Sequence, residues 1–242
     1  MKNILLVFLS LFLSNFCFSQ EWTSDDYINT GIDFYNKGDY ATAEFNYSEA
    51  IKLSKKDYTG YYNRALARYY LKDYKGAVAD CKKALKLNKN YPNAYATLGI
   101  CKIATEDYKE AIKNYSIAIA LDPAQPSHHY NIGTAYYELK RYDEALNSFD
   151  KCLLLDIDYF EAIIYKGLIY HDKRNFEKAI TEFTKSIKIN PDYALHYYNR
   201  CLAYIELEKF TEACEDIKKA KSLAYPISDT MQEKYCNPQT ED

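Results

Sequence analysis

The sequence predicts an all-α protein in which antiparallel helical hairpins stack on one another. The 242 residues include only 7 glycines and 6 prolines, and this scarcity favours helices joined by short connections. Residues recur at helical intervals of three and four, as in Tyr95, Leu98, Gly99 and Ile103. The same spacing resumes at Ile112 after a break near residues 105–107. This succession indicates a helix, a turn and a second helix.

A period of 34 residues organises the chain from Ser24 onwards. In rows of that length, one column holds alanine in every row: Ala43, Ala77, Ala111, Ala145, Ala179 and Ala213. Three residues earlier stands a column that is always aromatic: Tyr40, Tyr74, Tyr108, Tyr142, Phe176 and Phe210. A fixed period of this kind is the signature of a repeat array. The sequence therefore predicts six repeats, at 24–57, 58–91, 92–125, 126–159, 160–193 and 194–227.

Two further columns indicate how the two helices of one repeat meet. Position 8 of the repeat is small in every row: Gly31, Ala65, Gly99, Gly133, Gly167 and Cys201. Position 24 is larger in most rows: Tyr47, Cys81, Tyr115, Phe149, Phe183 and Ile217. Small residues at positions 8 and 20 let two helices approach closely, and the aromatic residue at position 17 is expected to fill the space between neighbouring hairpins. Because one hairpin cannot bury its apolar side alone, stability is expected to come from stacking.

The segments outside the repeats have predicted roles of their own. Residues 1–19 combine a basic start at Lys2, a short apolar run and small residues up to Ser19, which is the pattern of a secretory signal peptide. The run is short for a membrane span, and an uncleaved anchor is the alternative. We expect an exported protein, periplasmic or at the cell surface or extracellular, with no stable transmembrane span after cleavage. Residues 228–237 are predicted to form a C-terminal capping helix, and residues 238–242 a disordered tail.

Charge narrows the classes of partner. The sequence has 31 Lys and Arg against 34 Asp and Glu, a net charge of −3. No nucleic-acid partner is expected, because phosphate binding needs a clustered cationic excess. Residues 51–90 differ from the rest, since nine Lys and two Arg stand there with three Asp, a net charge of +8. Two interpretations of this segment stay open, a solvated helical surface or a docking surface for an acidic partner.

The residues that commonly carry catalysis or bind metals form no recognisable motif in the sequence. None of the four histidines has the spacing of an HExxH site, and the sequence contains no GxSxG, Walker-type or CxxC pattern. We therefore expect no cofactor, no metal and no enzymatic activity. The alternative is a hydrolase that uses His171 and Asp172. The histidines are expected at the surface or along a groove.

The cysteines permit disulfide bonds. Six remain after the predicted signal peptide, an even number in a chain expected to be exported. Two of them occupy small-residue columns and are expected to be buried, inert thiols. Cys214 lies in the second helix of the last repeat and Cys236 in the predicted cap, which would run antiparallel beside that helix. A disulfide between Cys214 and Cys236 is therefore a hypothesis, with Cys81 and Cys101 as a second candidate pair.

These columns resemble the tetratricopeptide repeat over residues 24–227. That family's pattern places aromatic residues at positions 4, 11 and 24, a small residue at 8, alanine at 20 and 27, and proline at 32. Position 27 here reads Ala50, Ala84, Ala118, Cys152, Ser186 and Ala220, and Pro123 and Pro191 stand at position 32. Arg68 and Lys102 depart from the pattern, because they replace the aromatic residue of position 11. The resemblance implies a right-handed superhelical solenoid of antiparallel helix hairpins, with the first helices along a concave groove.

In that family, positions 2, 5, 9, 12 and 13 of each first helix are directed into the groove. Transferred to this sequence, positions 5 and 12 supply six tyrosines: Tyr62, Tyr130, Tyr198, Tyr35, Tyr69 and Tyr137. Position 6 supplies amides: Asn29, Asn63, Asn131 and Asn199. Tyrosine and amide side chains combine apolar area with hydrogen bonds, which suits the recognition of a peptide. For each tyrosine, the alternative is packing between adjacent first helices.

The sequence therefore predicts a non-catalytic scaffold or adaptor of the cell envelope that binds a peptide segment of a partner protein in the concave groove. A carbohydrate or cell-wall binding module is the alternative, because tyrosine rings also stack on sugar faces. The carboxylate clamp of chaperone adaptors is not expected, since Ile28 and Ile32 stand where that clamp has Lys and Asn. The pattern names neither the partner protein nor an oligomeric state.

Overall fold

The computed structural model describes residues 22–236, which contain helices and no strands. The predicted signal peptide at 1–19 and the predicted tail at 238–242 lie outside the described residues. The chain divides into two compact units, residues 1–89 and 90–242. Each unit contains helical hairpins of its own.

The described part of the first unit has four helices: α1 Ser24–Asn36, α2 Tyr40–Leu53, α3 Tyr58–Tyr70 and α4 Tyr74–Leu87. They form two hairpins, α1 with α2 and α3 with α4, and α2 also packs against α3. Each helix follows a residue whose side chain accepts a hydrogen bond from the first helical turn: Thr23, Asp39, Asp57 and Asp73. These N-caps bind backbone N–H groups that have no partner within the helix.

The described part of the second unit has nine helices: α5 Pro92–Ala104, α6 Tyr108–Leu121, α7 Pro126–Glu138, α8 Tyr142–Leu155, α9 Phe160–Asp172, α10 Phe176–Ile189, α11 Ala194–Glu206, α12 Phe210–Ser222 and α13 Asp229–Cys236. The first eight pair as hairpins, each hairpin packs on the next, and α13 packs on α12. Helices α5 and α7 begin with proline instead of following a side-chain cap. Proline suits this position because its missing N–H has no partner in the first turn.

Positions 8 and 24 of the repeat are complementary in volume. At Gly133, an added Cβ would lie 2.7 Å from the buried ring of Phe149. Three other pairs have the same arrangement: Gly31 with Tyr47, Gly99 with Tyr115, and Gly167 with Phe183. In the two remaining repeats position 24 is Cys81 or Ile217, and position 8 accommodates the larger Ala65 or Cys201. Glycine is thus needed where the opposite residue is aromatic, as a close-packed interior requires.

A residue in the left-handed backbone region closes each hairpin. This residue stands at position 15, with φ between 56° and 79°: Gly38, Lys72, Glu106, Lys140, Arg174 and Glu208. The next N–H returns to the first helix, as where Arg141 N–H donates to Tyr136 C=O at 2.9 Å. This bond satisfies a carbonyl at the helix end and reverses the chain within a few residues.

The last repeat carries the additional helix α13, which packs Met231 and Tyr235 against the apolar core of that repeat. Its final residue, Cys236, forms a disulfide with Cys214 of α12. Cys101 is a free, buried thiol, so it takes no part in a second disulfide, and that hypothesis was wrong. Burial raises the pKa of the Cys101 thiol to about 11, which disfavours the reactive thiolate.

Candidate functional site

In the first unit, two of the predicted groove tyrosines, Tyr35 and Tyr69, pack against other aromatic rings. The ring of Tyr35 on α1 lies 5.4 Å from that of Tyr40 and 5.7 Å from that of Tyr70. Tyr40 and Tyr70 stack, with centroids 4.5 Å apart and planes at 11°, and Tyr69 lies edge-on to Tyr70 at 5.3 Å. Burial and the hydrogen bond to Tyr70 raise the pKa of Tyr35 above its ordinary value. Within this cluster Tyr70 is 49% exposed, and a partner can reach it.

In the second unit, Tyr130 of α7 belongs to an aromatic cluster that joins two hairpins. Its ring lies 5.1 Å from Tyr159, 5.8 Å from Tyr165 and 6.1 Å from Phe149. Burial raises the pKa of Tyr130 above its ordinary value and raises the pKa of Tyr159 to about 12. Tyr130 is therefore a packing residue, because its truncation would open a cavity between hairpins.

Tyr137, also on α7, is held by a carboxylate of the next hairpin. Tyr137 and Tyr142 both donate to Oδ2 of Asp172, each at 3.1 Å. Burial, followed by the charge of Asp172, raises the pKa of Tyr137, so its hydroxyl stays a donor. The neighbouring His171 packs edge-on against Phe176 at 5.3 Å. His171 and Asp172 thus do not have the geometry of a base oriented by a carboxylate.

The remaining predicted site residues differ in exposure. Four of them are half-buried: Tyr62, Asn63, Asn131 and Tyr198. Tyr198 packs its ring 4.7 Å from that of Tyr225, in the segment before α13. Asn199 is buried, with 8% of its surface exposed, so its amide offers little to a partner. The other three amides of this column are more accessible, since Asn29 is exposed and Asn63 and Asn131 are half-buried.

We call positions 2, 5, 6, 9, 12 and 13 of the repeats the first-helix face. The charged residues on this face are all acidic. No Lys or Arg occupies any of these positions in the six repeats. About five would be expected by chance, because Lys and Arg make up 31 of the 242 residues. The face carries five carboxylates: Asp25, Glu138, Glu161, Asp172 and Glu206. Three of them stand exposed at position 13 of consecutive repeats in the second unit, and Glu138 and Asp172 both raise the pKa of Tyr137.

Sequence reasoning missed a second recurring interaction, between positions 7 and 23. Arg200 of α11 donates to the two carboxylate oxygens of Asp216 on α12, at 2.8 and 2.7 Å. It also donates to Thr184 of the preceding repeat at 3.0 Å. Arg64 binds Asp80 in the same way in the first unit. The sequence held a signal, since position 7 is basic only in the repeats where position 23 is acidic.

The prediction of surface or groove histidines was wrong for three of them: His128, His129 and His196 are buried. The ring of His196 lies 5.6 Å from that of Phe160 and 4.9 Å from that of Tyr193. Burial lowers the pKa of His196 to about 4. This histidine is therefore a neutral core residue near pH 7.

Other features of the described residues bear on possible ligands. Within residues 22–236, no group of three or more His, Cys, Asp or Glu side chains is placed to hold a metal ion. None of the helices in this part of the chain is both long and apolar enough to cross a membrane. A shallow, open pocket of about 330 Å³ lies at the start of α1, and its lining is Trp22, Asp26, Asn29, Thr30 and Asp33.

Comparisons with known proteins agree with the repeated hairpins. The family described as "Tetratricopeptide repeat" matches residues 58–91 and 126–159, and the family described as "TPR repeat" matches residues 103–140 and 167–208. Together these segments cover more than half of the chain. The chain belongs to the tetratricopeptide repeat family. No curated protein matches the sequence.

Solved tetratricopeptide repeat structures share the fold. MamA from Desulfovibrio magneticus RS-1, residue 41 to its end, is 24% identical with a TM-score of 0.64, and the match covers 70% of this chain and 96% of that one. YrrB, described as a TPR protein with an unusual peptide-binding site, is 24% identical with a TM-score of 0.62 and coverages of 80% and 98%. A tetratricopeptide repeat protein from Parabacteroides merdae ATCC 43184 is 20% identical with a TM-score of 0.71 and coverages of 84% and 80%.

Tetratricopeptide repeats are scaffolds for interactions between proteins and typically have no catalytic role. This chain is such a scaffold, built from regular columns of small and aromatic residues.

Proposed function

We propose that this tetratricopeptide repeat protein is a non-catalytic adaptor of the cell envelope that holds an extended segment of a partner protein on the first-helix face of the second unit. The segment is apolar and basic. The observation that carries the proposal is the absence of Lys and Arg from that face, together with the exposed carboxylates at position 13. The place in the envelope rests on the predicted signal peptide.

The side chains of the second unit offer both parts of such a contact. Leu168 and Leu202 on the first-helix face are half-buried, so apolar area is available beside the carboxylates. Glu138 is exposed and takes part in no ion pair among residues 22–236. Glu206 lies 3.7 Å from the exposed Arg174, a surface pair weak enough for a partner's cation to replace it. A lysine or arginine of the partner can therefore bind these carboxylates without displacing a strong internal contact.

The test uses the carboxylates, because removing the packed tyrosines would damage the fold. A random 12-residue peptide library is displayed against the purified protein, and a selected peptide is measured by calorimetry. We expect the selected peptides to be rich in Lys or Arg and in large apolar residues. The double variant Glu138→Gln, Glu206→Gln should bind the peptide about twofold to thirtyfold more weakly, because each exposed ion pair contributes about 0.2–1 kcal/mol.

The matched control is Glu177→Gln with Glu233→Gln, which removes the same charge from exposed sites outside the first-helix face. This control should leave the affinity within about twofold. A selection that yields no basic, apolar peptides, or equal losses in the two double variants, would contradict the proposal.

The envelope assignment has a separate test. Cell fractionation and N-terminal sequencing of the protein from its native host should find it outside the cytoplasm, with a new N-terminus after Ser19. Full-length protein recovered from the cytoplasm would remove the envelope from the proposal and leave peptide binding standing.

A carbohydrate is the second candidate ligand, and the pocket at the start of α1 favours it. Trp22 is 50% exposed, and its indole ring can stack on a sugar, while Asn29 and Asp33 supply hydrogen-bonding groups beside it. A glycan array should then show binding that Trp22→Ala abolishes. An array without retention at millimolar protein would exclude this candidate.

A further inference from the structure

The outer side of α4 carries a row of lysines. Lys75, Lys82 and Lys86 are spaced by seven and four residues, so they lie on one side of the helix. All three are exposed, and the exposed Ala79 lies between them. Lys83 is also exposed, and its ammonium lies 5.7 Å from the centre of the Tyr61 ring. We call Lys75, Ala79, Lys82 and Lys86 the α4 lysine face.

Helix α4 itself provides no carboxylate that could neutralise this face. The single acidic residue of α4 is Asp80, which is buried with 4% of its surface exposed. Its oxygens accept hydrogen bonds from Arg64 and Arg68, so its charge is already paired. Within the described residues, Lys75, Lys82 and Lys86 take part in no ion pair. The positive net charge of residues 51–90 is therefore carried in large part by exposed lysines that form no ion pair, rather than by a network of salt bridges.

Other second helices of the same protein show that the fold does not require such a face. On α2, α6 and α10 an exposed lysine pairs with a glutamate of its own helix: Lys52 with Glu49, Lys113 with Glu110, and Lys185 with Glu182. The loops around α4 add further exposed lysines: Lys55, Lys56, Lys72 and Lys89. A concentration of unpaired like charge costs stability through repulsion, and a binding role accounts for its presence.

We propose that the α4 lysine face docks an acidic segment of a partner protein. The distance from Lys75 to Lys86 along the helix is about 16 Å, at 1.5 Å per residue. An extended chain with acidic residues at alternate positions places carboxylates on one side about 7 Å apart, so a segment of five or six residues spans the face. This interaction uses another surface than the first-helix face and does not rest on the function proposed above.

Two other polyanions fit the face less well. Anchoring to a membrane surface normally uses apolar side chains that insert below the headgroups, and Ala79 is too small for this. A membrane or a nucleic acid also presents negative charge over a wide area, which the net charge of −3 of the chain opposes. A short acidic segment is influenced mainly by the charges within a Debye length of about 8 Å, where the lysines dominate.

The experiment measures fluorescence anisotropy of a labelled 12-residue peptide that has Glu at alternate positions, compared with the same peptide carrying Gln. The full chain should bind the Glu peptide at least about tenfold more tightly than the Gln peptide at low salt. The triple variant Lys75→Gln, Lys82→Gln and Lys86→Gln should lose between about threefold and a hundredfold in affinity. The control Lys109→Gln, Lys188→Gln and Lys218→Gln removes the same charge from exposed positions on α6, α10 and α12, and should lose less than about twofold.

Three outcomes would overturn the proposal. One is no binding of the Glu peptide at millimolar concentration. Another is an equal loss in the two triple variants, which would show an effect of net charge alone. The third is tighter binding, dependent on the three lysines, to vesicles of phosphatidylserine or to single-stranded DNA, which would assign the face to that polyanion instead. Circular dichroism of both variants shows whether each is folded, and the exposure of all six lysines predicts unchanged melting temperatures.

Discussion

Removing one partner of the buried ion pair between Arg200 and Asp216 should destabilise the last repeat strongly. Asp216 is 3% exposed and accepts two hydrogen bonds from Arg200. Burial is the largest influence on the pKa of Asp216 and raises it, while the bonds from Arg200 act in the opposite direction. In the variant Asp216→Asn, the guanidinium would keep its charge in a largely apolar site and lose its counter-ion.

The magnitude follows from the number of bonds and the burial. Breaking a buried pair on one side costs about 3–5 kcal/mol. The Arg200 side chain retains 18% of its exposure, so water can solvate part of the charge and the lower end, about 3 kcal/mol, applies. For a chain of this size, that loss lowers the melting temperature by about 6–12 °C. Urea unfolding followed by circular dichroism measures the free energy directly.

A double variant separates the charge from the packing. Repeat three has the uncharged residues Leu98 and Asn114 at the positions of Arg200 and Asp216. The double variant Arg200→Leu with Asp216→Asn therefore introduces an uncharged pair that already occurs in this protein. We expect the double variant to be within about 1 kcal/mol of the unmodified protein. A cost of less than about 1 kcal/mol for Asp216→Asn alone, or a double variant that is less stable than the single one, would refute a buried, charge-paired role for Arg200. The exposed neighbour Glu215→Gln is the control and should cost less than about 0.5 kcal/mol.

Three further predictions concern the core. Gly133→Ala should lower the free energy of unfolding in urea by about 1–2 kcal/mol, because overpacking against Phe149 exceeds the gain in helix propensity. Adding Phe149→Leu should recover part of this loss. A stabilising effect of Gly133→Ala would contradict the complementary volumes of positions 8 and 24. The pKa of His196 is lowered to about 4 in the folded state. Between pH 6.5 and 4 this histidine therefore binds a proton more readily in the unfolded chain, and the free energy of unfolding should fall by about 3 kcal/mol as the pH drops through this range. The variant His196→Gln should lack that part of the pH dependence, and identical pH profiles would refute the assignment. Replacing Cys214 and Cys236 by serine removes a cross-link between residues 22 apart in sequence and should cost about 3 kcal/mol; dithiothreitol should lower the melting temperature of the unmodified protein and leave that of the variant unchanged.

The fold could be predicted from the sequence because its determinants are local and repeated. The alanine and aromatic columns recur with a fixed period, and each hairpin needs the same small residue opposite the same large one. Gly167 and Phe183 illustrate this, because the sequence shows both columns and the structure shows that the two residues are in contact. Most contacts of a hairpin join residues that are less than about 34 positions apart, so their pattern can be recognised in a short stretch of sequence.

The candidate site could be predicted only in part. The first-helix positions could be named from the family pattern, but the exposure of their side chains could not. Tyr130 and Asn199 were both predicted to face the groove, yet Tyr130 joins an aromatic cluster between hairpins and Asn199 is buried. The ion pair of Arg200 does not follow from the regular columns, because position 7 is basic in only three repeats.

The sequence by itself determined the helices, the 34-residue repeat, the family and the uneven distribution of charge, because all of these are properties of residue type and spacing. Only the tertiary structure decided that His196 is buried, that Asp172 holds two tyrosine hydroxyls, and that Lys75, Lys82 and Lys86 form no ion pair with any residue from 22 to 236. The physical reason is that burial and pairing arise between helices, from residues that are distant in sequence and whose side chains have several possible neighbours. Spacing along the chain limits those neighbours, and packing in three dimensions selects among them.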